Sequence, residues 1–73
     1  MKIPLNKIGT IEAGDNKGWQ VRIEPCSPSS ENCLVLISRD FNNPNAEGYD
    51  DWVEDYESLE QYFIESKWLI TWF

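Results

Sequence analysis

Six consecutive residues constrain this chain most. Trp19, Val21 and Ile23 alternate without a break with Gln20, Arg22 and Glu24. A period of two sets the apolar three on one side of a strand and the polar three on the other. Such a strand is half-buried, so it needs paired neighbours and a second layer against its apolar face.

The flanking segments supply candidates for both. Residues 5–13 include β-branched Ile8, Thr10 and Ile11, and residues 14–18 between the two runs are turn formers, so the pair reads as a hairpin. Residues 25–31 hold two Pro and three Ser and read as a loop. Residues 33–39 form a third strand, whose continuous apolar run from Cys33 to Ile37 predicts cover on both faces. Residues 40–48 bring three Asn, a Pro and a Gly and mark another loop. Residues 49–53 fit two readings: a short fourth strand with Trp52 inward and Asp51 outward, or loop.

Ser58 and Gln61 have the spacing of a capping box, with Ser58 as the N-cap of a helix over 59–67. Leu59, Tyr62, Phe63 and Ser66 would share its inner face. Glu57 and Glu60 at the start and Lys67 at the end suit the helix dipole. Residues 68–73 close the sequence as an aromatic, β-branched strand with Trp68, Ile70 and Trp72 on one face. The expected fold is α+β: a single, mainly antiparallel β-sheet of four to five strands, with one short helix packed on one face. Residues 1–73 form one small domain. Its core is expected to include Trp19, Val21, Ile23, Leu36, Phe63 and Ile70.

Size and composition narrow the function. Seventy-three residues bury little core, and ten aromatics compensate, each burying roughly 150–250 Å². Such a chain has little room for a drug-sized pocket and is expected to be a monomer or small homodimer. No run is apolar enough for a signal peptide or a membrane span, which predicts a cytoplasmic protein with reduced Cys26 and Cys33. Two Cys without any His make a poor zinc site. The segment from Asp40 begins like a calcium loop, but Pro44 and Asn45 break the pattern. Neither metal nor cofactor is expected. With no His, no phosphate-binding Gly loop and no nucleophile elbow, the sequence carries no catalytic signature and predicts no enzyme.

Charge is unevenly placed. Nine of the thirteen acidic residues fall between Asp40 and Glu65, with no Lys or Arg among them. Residues 1–39 carry five basic and four acidic side chains, a net of +1; residues 40–73 carry Lys67 against nine acids, a net of −8. Direct binding to nucleic acid or anionic lipid is disfavoured, because both are polyanions. An acid-only segment fits two readings: a solvated face that keeps a small protein soluble, or, since mixed signs would satisfy solubility alone, a surface complementary to a basic protein partner. Tyr49, Trp52 and Tyr56 interleave with Asp50, Asp51, Glu54 and Asp55. Tyr and Trp are frequent interface anchors and equally frequent core residues. These seven are the candidate partner-binding residues.

The stretch from Gly48 through Asp50, Asp51, Trp52, Asp55, Tyr56 and Leu59 to Phe63, followed by Trp68 to Trp72, resembles the C-terminal end of small acidic bacterial proteins. Several of those are immunity proteins of polymorphic toxin systems. The resemblance implies neutralisation of a basic toxin, often a nuclease, by covering its active site, and carries over no functional positions. The leading expectation is therefore an immunity-type inhibitor. Its variant is a mimic of nucleic acid, whose carboxylates occupy phosphate subsites, as in phage-encoded inhibitors. The alternatives are a structural or adaptor domain that self-associates through the open edge of its last strand, and a small-molecule sensor with an aromatic pocket.

Overall fold

The computed structural model describes residues 2–26 and 32–73, so most of the expected loop over 25–31 lies outside the described residues. Five strands form one antiparallel sheet: β1 Ile8–Ala13, β2 Gln20–Pro25, β3 Cys33–Ser38, β4 Gly48–Val53 and β5 Leu69–Trp72. One helix, α1 Tyr56–Ser66, lies between β4 and β5. The α+β expectation holds. The sheet order is β4-β3-β2-β1-β5, so β1 to β4 form a meander. The helix then carries the chain from one edge of the sheet to the other, where β5 pairs with β1.

The alternation that marked β2 sets the core. Val21 and Ile23 are fully buried, beside Ile11 of β1 and Cys33, Val35 and Ile37 of β3. Leu59 and Phe63 of α1, Val53 of β4 and Ile3 close the cluster. Trp19 and Ile70, expected in the core, are only half-buried against it, as are Trp68 and Trp72. Phe63 meets Trp68 edge-on with ring centroids 5.0 Å apart and stacks on Trp72 at 6.3 Å.

Two further core expectations change. Leu36 pairs with Arg22 and is only half-buried. It points away from α1, as does Leu34, because Cys33, Val35 and Ile37 take the helix side. The apolar run of β3 therefore does not signify a layer on both faces. On the far face, among the described residues, Phe41 lies over the Arg22 guanidinium at 5.1 Å.

The helix begins three residues earlier than the capping box predicts. Asp55, not Ser58, is the N-cap: its Oδ1 accepts from the Ser58 amide at 2.7 Å. A carboxylate at this position meets a free first-turn N–H and the positive end of the helix dipole together. At the other end Lys67 takes the left-handed conformation, and its N–H donates to Ile64 and Phe63 carbonyls. The β1–β2 turn grips the same end. The Asp15 amide donates to Ser66 O at 3.0 Å, and the Trp68 indole donates to Asp15 O at 2.7 Å. A side chain on Gly14 would collide with the Ser66 and Lys67 carbonyls, so glycine is needed for this approach.

Candidate functional site

Residues 49–53 are strand, which settles the two readings of that segment, but in the opposite phase to the one expected. Val53 opposes Cys33 and is buried, so Asp51 and Tyr49 share the helix side while Trp52 and Asp50 face the open side. One residue of phase exchanges every side chain between faces. Val53 joins the buried cluster that also holds Cys33 and Leu59, and this sets the phase.

The seven candidate residues are consequently divided among three environments. On the open face Trp52 is 58% exposed and opposes Leu34, while Asp50 opposes Leu36. Pairing extends these into rows across the sheet: Trp52, Leu34 and Glu24 form one, and Asp50, Leu36, Arg22 and Ile8 form the next. Arg22 Nη2 and Glu24 Oε2 are 2.9 Å apart and bridge the two rows. With both partly exposed, that bridge contributes at most about 1 kcal/mol.

On the helix side the polar groups are committed to internal bonds. The Tyr62 hydroxyl donates to Asp51 Oδ2 at 2.5 Å, and the Tyr49 hydroxyl donates to Asn16 Oδ1 at 2.6 Å. Burial, and then the adjacent Asp51 carboxylate, hold the Tyr62 proton far more tightly than usual. Tyr49 is shifted the same way by burial, Asp51 and Asp15. The Tyr49 ring leans on Trp19, with centroids 6.4 Å apart, and Arg39 stacks over the other ring of that pair, Trp19, at 4.9 Å.

The third environment is the turn into α1. Asp55 caps the helix, and the Ser58 amide followed by the Ser58 hydroxyl holds its carboxyl below the ordinary aspartate range. Tyr56 is half-buried against the core, and its hydroxyl accepts from the Ile3 amide at 2.8 Å. Glu54 between them is exposed.

The segment thus brings together a continuous exposed set, Asp50, Trp52 and Glu54, on the edge strand and just beyond it. Asp51, Asp55, Tyr49 and Tyr56 also hold the fold together. Sequence reasoning left out Leu34 and Leu36, the apolar neighbours of Trp52 on the open face. Their alternation with Cys33, Val35 and Ile37 was masked because both sets are apolar. Among the described residues there is no pocket, and no group of three or more potential metal ligands. No helix of the described residues is long and apolar enough to cross a membrane. Comparison with protein-family models, curated proteins and solved structures finds no match.

Proposed function

We propose that this is a binding protein of the immunity type, which occludes a basic protein partner with the β4 edge and acts without chemistry of its own. The observation that carries the reading is the composition of that edge. Asp50 and Asp51 project to opposite faces of an edge strand, Trp52 stands 58% exposed between Asp51 and Val53, and Glu54 follows at once. The helix adds Glu57, Glu60 and Glu65, and the next basic residue is Lys67. Negative charge along one edge steers encounter with a basic surface, and a large exposed ring holds the complex once formed. The edge backbone can also accept a strand of the partner. The nucleic-acid mimic is the same proposal with carboxylates in phosphate subsites. In either form the protein would act in the bacterial cytoplasm, beside the toxin it restrains.

The internal bonds dictate the test. Asp51 and Asp55 support the fold, so charge reversal belongs at Asp50 and Glu54. The probe is a basic nuclease toxin, purified in catalytically inactive form. Association should slow for the Asp50→Lys, Glu54→Lys double variant, and for the native protein when salt rises from about 0.05 M to about 0.5 M, because the screening length falls from about 14 Å to about 4 Å. Trp52→Ala should act chiefly on dissociation. An association rate indifferent both to salt and to the two reversals would sink the steering mechanism.

A further inference from the structure

The two edges of the sheet differ in kind. The β4 edge is acidic, whereas β5 and the residue after it, Leu69 to Phe73, carry no charged side chain. Leu69 and Phe73 are the two most exposed large apolar side chains among the described residues, at 65% and 72%. Among those residues β5 pairs only with β1, leaving its outer side open. An apolar edge with neither charged side chains nor Pro lacks two of the devices that block further pairing.

Pairing geometry specifies what this edge can receive. Thr10 opposes Thr71 and Gly9 opposes Trp72. The Phe73 amide donates to Ile8 O at 3.0 Å, directly across the ladder. In an antiparallel pair hydrogen-bonded and non-hydrogen-bonded positions alternate. Phe73 and Thr71 therefore turn their backbone groups toward β1, and Ile70 and Trp72 turn theirs outward. We propose that β5 pairs with β5 of a second copy, antiparallel, with Thr71 opposite its counterpart at the two-fold axis. In this register Ile70 and Trp72 exchange backbone hydrogen bonds with the partner's Trp72 and Ile70. Leu69 then lies against the partner's Phe73 on the open face, and the reverse pair forms across the axis. The two most exposed apolar side chains cover each other, and the central Thr pair is a favourable cross-strand combination.

The self-complementary register of Leu69, Thr71 and Phe73 fits a second copy as occupant, and charge selects this edge for it. Each protomer carries −7, concentrated on β4 and the segment after it. Antiparallel self-pairing of β4 centred on Asp50, on Asp51 or between them would set these carboxylates opposite one another, which is destabilising. The β5 edge lies four strand spacings away, roughly 19 Å. Pairing there would hold the two β4 strands roughly 43 Å apart, at nine spacings, well beyond the screening length of about 8 Å in physiological salt. The proposal is independent of the binding function of β4 and leaves that edge open.

Sedimentation of the native protein from about 1 µM to about 1 mM, the range of weak association, should show a reversible monomer–dimer equilibrium. Thr71→Glu changes an exposed side chain and places like charges at the axis, so it should weaken the dimer at least about tenfold at an unchanged circular dichroism spectrum. Cross-linking fixes the register. In a Cys26→Ser background Thr71→Cys should oxidise to a covalent dimer, because non-hydrogen-bonded partners lie about 4.5 Å apart at Cα, within disulfide reach. Leu69→Cys should not, because its counterpart lies about 13 Å along the strand. A monomer at every concentration, a dimer unaffected by Thr71→Glu, or equal cross-linking at positions 69 and 71 would overturn the proposal.

Discussion

Asp55 decides where the helix starts, and its carboxylate makes that decision dependent on pH. The carboxyl is held below its ordinary range by the Ser58 amide and hydroxyl. A depressed carboxyl contributes stability that is fully present above its unfolded value of about 3.9 and is lost as pH falls through the folded value. Asp55→Ala should therefore lower the melting temperature more than Ser58→Ala at pH 7. Asp55→Asn should retain much of the cap, since Asn is an equally good N-cap. The difference in melting temperature between native and Asp55→Asn proteins should narrow or reverse between about pH 5 and pH 2, where only the native cap titrates. Equal losses for Asp55→Ala and Ser58→Ala would remove the assigned cap. The Tyr62 proton has the opposite sign. Its folded value is raised by burial and by Asp51, so its contribution is full below about pH 10 and is lost at higher pH. Tyr62→Phe cannot ionise, so its melting temperature should fall less than that of the native protein between about pH 8 and pH 11, as read by calorimetry. Parallel curves would mean that the Asp51 contact does not hold that proton.

Element pairing turns on Gly9. It is buried on the helix side, opposite Trp72. A methyl group there would lie 2.5 Å from Ile70 Cγ2 and 2.8 Å from Trp72 Cε3. The large ring fills the space that glycine leaves, an aromatic over a glycine on the neighbouring strand. Gly9 thus fixes how close β5 comes to β1, and through Trp72 how Phe63 of the helix seats on the sheet. Gly9→Ala should cost about 1–3 kcal/mol, the usual range for overpacking, with an altered Trp fluorescence spectrum. Chemical denaturation would measure it, and an unchanged midpoint and spectrum would place Trp72 elsewhere than over Gly9.

At the scale of the molecule, one core supports everything. A chain of this length has a total stability of about 4–11 kcal/mol. Phe63 is buried where the helix meets Trp68 and Trp72, so Phe63→Ala should cost about 3–5 kcal/mol and leave a substantial unfolded fraction at 37 °C. A cooperative melt near the native temperature would show that the aromatic cluster is dispensable. Net charge acts against the same margin. With −8 on residues 40–73, self-repulsion opposes the compact state. Raising NaCl from about 0.01 M to about 0.15 M shrinks the screening length from about 30 Å to about 8 Å and should raise the melting temperature. A fall over that range would mean that attractive pairs, such as Arg39 with Glu47 at 3.5 Å, outweigh the repulsion.

Local pattern was enough wherever one side of an element had to be apolar and the other polar. The alternation from Trp19 to Glu24 marked β2, the three-four spacing of Leu59, Tyr62 and Phe63 marked the inner face of α1, and Trp68, Ile70 and Trp72 marked the buried side of the last segment. The uneven charge was equally plain in the linear chain. Where both faces offered similar residues, only tertiary contact decided. Leu34 and Leu36 look as buried as Val35 and Ile37 until the helix occupies one side alone. Asp51 and Trp52 exchange faces because Val53, opposite Cys33, turns into the buried cluster. The capping box pointed to Ser58, whereas in the fold Asp55, three residues earlier, caps the helix and takes the Ser58 amide. Pattern assigns an element its type through local energetics, whereas phase and exposure depend on which neighbours exclude water, and those neighbours come from distant parts of the chain.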